Sequence, residues 1–580
     1  INSQVLRWQK KHDKILLRIV SYENVASDTL PISKSVKNSN FEPVLYSFDI
    51  KTYNPSDSSV VIDVAPLFKT DVKALGFPQY RRKSLKITSL DKKRSFIESI
   101  KSFPINIEAR SVMTYNSSEP PSLRNSQTIS LEINNSMLLL PENKMQPRLR
   151  DQRVGFFSQS QIDYGLDEQK AKSTTYIRRW KLVPKDIEAY NRGELVEPIK
   201  PIIYYIDPST PKKWRKYLKQ GVDDWQVAFE AAGFKNAIIG KYPPTEEEDP
   251  DWTPEDARYS VMRYYASDIQ NAYGPHTADP RTGEILESDI GWYHNVMNLL
   301  RNWYMIQTAA VNETSRDVKF DDEVMGQLIR FVSAHEVGHT IGLQHNMGSS
   351  SAYPVDSLRS PFFTSSHGVA PSIMDYARFN YVAQPGDGVT NFYPMVGTYD
   401  IWAIKWGYTY FDGESTKSEQ KLLNEWIKSH SGDYEYWFGY SNGIDPRSQT
   451  ESIGDDNMMA SFYGIQNLKR ILPKLLEWSY EEGKNYDDLK ELYLNVNSQF
   501  RRYIGHVSTN VGGVFEDLKS NEEKGSVYVH VPKAQQKAAI IFLNSYVFGS
   551  LDWLVDNNIL DKIENIGSVE RIRLLQVYTL

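Results

Sequence analysis

The sequence predicts an α+β protein of several domains: a β-rich N-terminal domain over residues 1–195, a mixed domain over 196–412 and a helical region over 413–580. Length is the first indication, because 580 residues exceed what one hydrophobic core organises, and two to four domains are expected. Periodicity is the second. Apolar residues alternate with period two early in the chain and recur every three or four residues late in it, so strands are expected first and helices last.

The N-terminal domain contains five runs rich in β-branched and aromatic residues, each bounded by residues that favour turns. The runs are 14–20, 43–50, 59–64, 105–112 and 128–133. The last two alternate between apolar and polar residues, as half-buried strands do. No cluster of ligand-type residues accompanies them, so we expect a structural or partner-binding role.

The mixed domain combines strand-like runs with helical ones. The strand-like runs are 202–206, 237–240, 260–265 and 284–293. One helix is expected between Thr210 and Gly233, because its apolar residues fall on one face. Another begins near Asp321, where acidic residues suit a helix N-terminus.

The C-terminal region shows helical spacing nearly throughout. After a helix at residues 399–406, near the end of the mixed domain, four helical segments follow at 417–430, 457–479, 484–503 and 533–557. No repeat period or low-complexity tract interrupts them. We expect this region to pack on the mixed domain.

The charged residues argue against two kinds of partner. The net charge is −6 with mixed signs, whereas a nucleic-acid-binding protein would show a basic excess or patch. The acidic run at 246–249 could hold Ca²⁺, but it lacks the ordered ligand spacing of a calcium loop. A solvated loop is the preferred interpretation of that run.

Other sequence features limit the compartment and the chemistry. No stretch approaches 18 uninterrupted apolar residues, so no transmembrane helix is expected. The absence of cysteine excludes disulfides and thiolate ligands. The chain begins at Ile1 without a signal-peptide pattern, so a processed form or a trimmed fragment is expected.

The most informative stretch is residues 335–345, which read HEVGHTIGLQH. Positions four apart on an α-helix share a face, so His335 and His339 can direct nitrogens at one ion. Gly342 can adopt a positive φ, which lets the chain turn and bring His345 to the same ion. The motif therefore predicts a zinc site with three histidine ligands.

The same motif supplies a catalytic base. Three neutral nitrogen ligands leave a fourth position for water, whose pKa zinc lowers towards neutrality. Glu336 would take the proton of that water and pass it to a leaving amine. Ordinary core and surface histidines are a weaker interpretation, because a string this long rarely arises by chance.

A second motif follows at residues 371–378, PSIMDYAR, and with it the chain resembles the metzincin metallopeptidases. The resemblance implies a twisted sheet beside a zinc-binding helix and a Met-turn. Met374 would be the apolar floor beneath the imidazoles and not a ligand. The metzincin branches differ in the residue after the third histidine, and several carry Asp or Glu where this chain has Asn346.

Tyr376 lies two residues past Met374, as in the Met-x-Tyr arrangement of the astacin and serralysin branches. There the phenol can approach the metal or hydrogen-bond the oxyanion. Those branches usually carry histidine where this chain has Asp375. The alternative role for Tyr376 is that of a buried tyrosine with a satisfied hydroxyl.

Longer phrases at 271–275, 279–286, 289–293 and 372–381 are similar to those of large zinc-dependent metzincin proteins of Bacteroidetes-type bacteria. This resemblance implies a bacterial protein that is periplasmic, on the cell surface or secreted. The metzincin fold also implies an antiparallel edge strand above the cleft, and residues 285–293 are the candidate. A protein or peptide substrate would bind extended along that edge.

The prediction is therefore a zinc-dependent metalloendopeptidase. One catalytic Zn²⁺ is bound by His335, His339 and His345, and the catalytic residues are Glu336 and Tyr376. Two alternatives stay open. One is a zinc-binding or scaffold protein without turnover, against which the intact Glu336 argues. The other is a zinc amidase that acts on non-protein amides by the same chemistry.

Overall fold

The computed structural model describes residues 4–120, 126–167, 169–564 and 568–579. The strands in these ranges are β1 (Val5–Lys11), β2 (Lys14–Val20), β3 (Asn24–Val25), β4 (Val44–Tyr53), β5 (Val60–Ile62), β6 (Ile87–Leu90), β7 (Phe96–Ser102), β8 (Asn106–Ser117), β9 (Thr128–Leu138), β10 (Ser158–Asp163), β11 (Lys172–Ile177), β12 (Ile202–Ile206), β13 (Ile238–Lys241), β14 (Ser260–Tyr265), β15 (Ala272–Tyr273), β16 (Thr277–Ala278), β17 (Ile285–Glu287), β18 (Ile290–Tyr293), β19 (Val514–Glu516) and β20 (Tyr528–His530).

The α-helices in the same ranges are α1 (Ile32–Ser39), α2 (Ala65–Lys69), α3 (Gln79–Ser84), α4 (Ile187–Asn191), α5 (Lys212–Asp223), α6 (Gln226–Ala231), α7 (Val296–Thr308), α8 (Asp322–Thr340), α9 (Pro361–His367), α10 (Thr398–Tyr408), α11 (Thr416–Ser429), α12 (Asn457–Ile471), α13 (Leu475–Trp478), α14 (Asp487–Ser508), α15 (Lys533–Tyr546), α16 (Asn557–Ile563) and α17 (Ser568–Thr579). No helix in the described part of the chain is long and apolar enough to cross a membrane.

The N-terminal region contains two antiparallel sheets and a smaller mixed sheet. The first has the order β1-β2-β4-β5, in the second β8 pairs with β6, β7 and β9, and in the mixed sheet β10 pairs antiparallel with β11 and parallel with β3. The five predicted strands are present as β2, β4, β5, β8 and β9. A small separate core includes Ile15, Leu17 and Phe48 from the first sheet and Leu67 from α2. The short helices α1 to α3 had no clear signal in the sequence.

The central sheet has the strand order β13-β12-β14-β18-β15. The first four strands are parallel and β15 is antiparallel to its neighbour. Alternate residues of β12 are fully buried, and α5 packs directly against α8 beneath the sheet. This arrangement places α8, which carries the histidine motif, under the edge of the sheet that ends in β15.

The predicted helix between Thr210 and Gly233 is two helices, α5 and α6, with a break at Asp224–Trp225. Tertiary hydrogen bonds explain the break. The carboxylate of Asp223 accepts from the Gly240 N–H at 2.8 Å, and the Trp225 indole donates to the Ala334 carbonyl at 2.8 Å. These tertiary contacts interrupt the helix at Asp224–Trp225, although the apolar residues between Thr210 and Gly233 follow one continuous helical spacing in the sequence.

The prediction that residues 285–293 form an antiparallel edge strand is wrong. The segment divides: β17 pairs with β16 in a separate ribbon, and β18 lies inside the central sheet, parallel to β14. Ser288 and Asp289 separate β17 from β18. The Asp289 carboxylate accepts a hydrogen bond from the Val261 N–H at 2.9 Å and from the Arg263 guanidinium at 2.7 Å, which holds this junction against β14. The edge strand is β15, whose two residues were too few to be detected by periodicity.

The C-terminal helices share one continuous core with the central sheet, and α12 packs against α14. Two predicted segments are divided. Pro473 lies where 457–479 breaks into α12 and α13, because proline cannot donate the helical hydrogen bond. Segment 533–557 ends its first helix at Tyr546, and Leu551 and Leu554 are buried in the connection that follows.

A buried ion pair joins the segment before β10 to this C-terminal region. Arg148 Nε lies 3.1 Å from Glu419 Oε2, and both side chains are almost fully buried. The same guanidinium donates to the carbonyls of Trp406 and Thr409, each at 2.8 Å. Arg148 therefore connects the end of α10 to the start of α11.

Arg148→Met should lower the free energy of unfolding by about 3–5 kcal/mol, because it leaves the Glu419 carboxylate buried without its cation. Denaturant titration followed by tryptophan fluorescence measures the loss. The double variant Arg148→Met/Glu419→Leu removes both charges and should recover part of it. A loss below about 1 kcal/mol in the single variant would contradict this account of the pair.

Candidate metal centre

Three histidines converge where α8 ends. His335 and His339 lie on one face of the last helical turns. Gly342 then has φ +105°, and the chain turns back so that His345 faces the other two. His345 Nε2 lies 3.2 Å from His335 Nε2 and 3.0 Å from His339 Nε2. The three predicted ligands are therefore brought to one point.

The arrangement fits a zinc ion. In a tetrahedral site with Zn–N distances near 2.0–2.1 Å, two ligand nitrogens lie about 3.3 Å apart. His335 Nδ1 lies 2.7 Å from the Ile373 carbonyl, and His339 Nδ1 lies 2.9 Å from the Leu343 carbonyl. Each Nδ1–H donates to its carbonyl, which leaves the Nε2 lone pair free for a metal. His335, His339 and His345 thus form a cluster suited to a metal ion.

The surroundings keep these imidazoles neutral. Burial lowers the pKa of His335 well below its usual range, and the two neighbouring histidines lower it further. Burial also lowers the pKa of His339, and burial followed by the charge of His339 lowers the pKa of His345 to about 3. A neutral imidazole is the form that binds a metal.

Glu336 is buried beside this cluster. Burial raises the pKa of its carboxyl to about 8, and the charge of Arg378 and the N–H of Gly274 oppose the rise. Gly274 directly follows β15, and a Cβ there would lie only 2.5 Å from the Glu336 carbonyl. Glycine at 274 therefore allows the edge of the sheet to reach α8 next to the carboxylate.

Met374 lies beneath the cluster, with no exposed surface. A Cβ at Gly338, between the first two histidines, would overlap the Met374 sulfur, so the thioether packs directly against α8. The turn before it is anchored at Ile373, whose N–H donates to Asp400 at 2.7 Å and whose carbonyl accepts from His335. The methionine and one histidine are thereby positioned by the same turn.

Tyr376 lies against the cluster. Its ring centroid is 4.2 Å from that of His345, and the Arg378 guanidinium lies 4.0 Å from its centroid on the ring face. Burial raises the pKa of the phenol, Arg378 lowers it and Glu336 raises it. The phenol therefore lies among the groups that surround the cluster.

Arg378 is a residue of this site that the sequence interpretation missed. Its guanidinium lies between Tyr376 and Trp303, 3.7 Å from the centroid of the Trp303 ring. Its Nε is 3.5 Å from a carboxylate oxygen of Glu451, whose N–H donates to the Tyr376 carbonyl at 2.8 Å. Trp303 and Glu451 are more than seventy positions away in the sequence, and only the charge two residues after Tyr376 could have indicated a role for Arg378.

Residues 155–157 also belong to the site. The Phe157 N–H donates to the Gly342 carbonyl and the Gln344 N–H donates to the Gly155 carbonyl, both at 2.7 Å. Phe156 and Leu343 form an antiparallel bridge between these bonds. A short segment from before the central sheet thus supports the loop between the second and third histidines. So brief a pairing leaves no periodicity in the sequence.

The two departures from the common metzincin pattern have structural partners. Asp375, whose pKa burial raises to about 7, accepts from the Ser350 N–H at 2.7 Å. The Asn346 amide donates to the Trp437 carbonyl and accepts from the Gly439 N–H, each at 2.8 Å. Both side chains connect the centre to neighbouring segments.

Comparison with known proteins divides the chain into two matched regions. Residues 317–580 match a family model described as Met-zincin. Residues 1–185 match a model described as a domain of unknown function, DUF5117. No curated protein and no solved structure matches the chain. The predicted resemblance to metzincins is confirmed for the region that holds the three histidines, and the predicted multidomain fold class is confirmed.

Gly342→Ala should abolish stoichiometric zinc binding. The position has φ +105°, and a Cβ there would overlap the Arg178 carbonyl, so the turn that carries His345 would have to move. Gly413→Ala is the matched control, since Gly413 has φ +69° with nothing within 4 Å of its Cβ position. Elemental analysis should find about one zinc per chain in the wild type and in Gly413→Ala, and much less in Gly342→Ala. A zinc content in Gly342→Ala equal to that of the wild type would contradict this account.

Proposed function

We propose that this chain, whose residues 317–580 match a family model described as Met-zincin, is a zinc-dependent endopeptidase. One observation carries the proposal: three neutral imidazoles converge, with His345 Nε2 3.0–3.2 Å from the other two, beside the buried carboxyl of Glu336. Three protein ligands with one open position are typical of catalytic zinc sites, whereas structural sites are closed by four. His335, His339 and His345 would hold the metal.

A zinc ion bound there would polarise the scissile carbonyl and lower the pKa of a coordinated water. Glu336 accepts the proton of the attacking water and returns it to the leaving amine. Burial raises the pKa of the Glu336 carboxyl, which makes it a stronger proton acceptor, and the charges of Arg378 and of a bound zinc ion would keep it ionised before the water reacts. Bond cleavage at neutral pH depends on both transfers by this one side chain.

Tyr376 donates its phenolic proton in a hydrogen bond to the oxyanion that develops on the scissile carbonyl. The stacking of its ring against Arg378 supports this role, because the cation fixes the ring and favours a phenol that donates. Met374 supports the imidazoles from below, as the methionine of a Met-turn does.

The substrate backbone pairs with the free edge of β15. This strand is the outermost of the central sheet, and Gly274 after it lies against Glu336. An extended peptide added at such an edge gains main-chain hydrogen bonds and passes the carboxylate.

We further propose, from the resemblance to bacterial metzincin proteins, that the chain is exported. The boundaries at 195 and 412 stay predictions.

A scaffold without turnover is the weaker alternative. Burying the Glu336 carboxyl, which raises its pKa to about 8, reduces the stability of the folded protein. A zinc site that served only to hold the fold together would not require such a group. The geometry also serves hydrolysis of non-protein amides, and no contact favours such substrates over peptides.

Glu336→Gln should keep about one zinc per chain and lose activity by about 10²- to 10⁴-fold, because the amide cannot accept the proton of the water. Elemental analysis and digestion of a peptide library measure the two effects. Glu313→Gln, a change at an exposed carboxyl, is the control. Activity within tenfold of wild type in Glu336→Gln would reject the proposed base.

Tyr376→Phe should lower kcat and kcat/KM together, by about 10- to 1000-fold, with zinc content unchanged, because the lost contact exists mainly in the transition state. Tyr381→Phe is the matched control: its buried hydroxyl accepts from the Ile453 N–H at 3.2 Å, away from the histidines. The control should lose stability and keep its turnover. Equal kinetics in Tyr376→Phe and wild type would assign Tyr376 a structural role.

A further inference from the structure

Among the residues that the structure describes, Arg178 is a half-buried cation without an acidic partner. Within the described residues its guanidinium makes no ion pair or hydrogen bond, and its Nε is shielded from solvent. Burial lowers the pKa of this arginine, and no neighbouring group counters the effect. By contrast, Arg281 pairs with the fully buried Asp279 at 2.6 Å, and Arg378 contacts Glu451.

The backbone fixes Arg178 next to the metal centre. Its N–H donates to the Phe157 carbonyl at 2.7 Å, and its own carbonyl lies against Gly342, the turn between the second and third histidines. An uncompensated, partly desolvated charge reduces stability. The loop that carries His345 is therefore held beside a cation that the described part of the chain does not neutralise.

His276 lies at the same place. Both of its ring nitrogens are buried, and among the described residues no side chain hydrogen-bonds to either of them; the backbone of His339 is the group that favours the protonated ring. Its ring lies 5.4 Å from Phe157, which in turn lies 5.8 Å from His339. The charge of Arg178 lowers the pKa of His276, after the larger effect of burial, so the two side chains are close.

These groups flank the path proposed for the substrate. His276 follows Gly274 by two positions, and Gly274 lies against Glu336 beside the edge strand β15. A peptide paired with β15 would pass Arg178 and His276 within a few residues of the bond to be cleaved. Their unused donors are therefore available to a group that arrives with the substrate.

We propose that Arg178 and His276 bind a carboxylate of the substrate close to the scissile bond. The inference rests on the proposed peptidase function and adds a substrate class: peptides with an acidic side chain or a free C-terminal carboxylate at this position. A carboxylate accepts two hydrogen bonds from a guanidinium and one from an imidazole, and it neutralises the charge. No single neutral side chain satisfies all three donors.

The experiment compares matched peptides. A peptide cleaved by the wild type is remade with Glu or Gln at each of the three positions on either side of the bond, and with a free or an amidated C-terminus. Wild type should favour one carboxylate form by about 10- to 100-fold in kcat/KM, mainly through KM. A difference between the Glu and Gln peptides would show that a side-chain carboxylate is bound. A difference between the free and amidated C-termini would show that the terminal carboxylate is bound, as in an exopeptidase.

Variants test the assignment to Arg178. Arg178→Gln should reduce that preference to about one, and Arg178→Lys should retain part of it, since lysine keeps the charge and loses the bidentate geometry. Arg192→Gln, an equal charge change at an exposed residue, should leave the ratio unchanged. Loss of the preference in Arg192→Gln would overturn the assignment.

A stability measurement separates binding from structure. Arg178→Gln should leave the thermal midpoint equal or higher, because it removes an unpaired charge, whereas Arg281→Gln should lower it by leaving Asp279 unpaired. A fall as large as that of Arg281→Gln would make Arg178 structural and reject the inference. Ratios near one for all wild-type pairs would reject this inference alone, and zinc-replete wild type that cleaves no peptide would reject the proposed function as well.

Discussion

The centre depends on keeping three imidazole lone pairs directed at one point, with His345 Nε2 3.0–3.2 Å from the other two, where they repel one another unless a cation lies between them. The protein opposes this repulsion by fixing the other side of two of the three rings. The Nδ1–H groups of His335 and His339 bind backbone carbonyls, and the first of these carbonyls belongs to a turn held by Asp400. Burial removes the competing protonated state.

Strained backbone near the centre is compensated by strong contacts. Arg378 has φ +59° and Glu451 has φ +62°, conformations that cost about 1–3 kcal/mol each outside glycine. Both residues lie in one network, in which the guanidinium stacks on Trp303 and Tyr376 and approaches the Glu451 carboxylate. The strained residues are therefore the ones that contact Tyr376 and fix the orientation of its ring.

The sequence predicted what depends on local spacing and missed what depends on distant contacts. The histidine string and Met374 could be placed because a helical turn and a glycine turn determine where those side chains point. The edge strand was assigned to 285–293 because alternation shows that a strand exists and not which strand it pairs with. Arg378 was missed because its significance lies in partners far along the chain.

The pairing of residues 155–157 with the loop around Leu343 has a consequence for how the chain divides into modules. The first segment belongs to the region matched by DUF5117 and the second to the region matched by the Met-zincin model. One small antiparallel contact, next to the third histidine, therefore contains backbone from both families. A shortened version lacking the first region would lose half of that contact. The two family models therefore cover parts of one packed unit around the metal centre, and the first region is not a separable accessory domain.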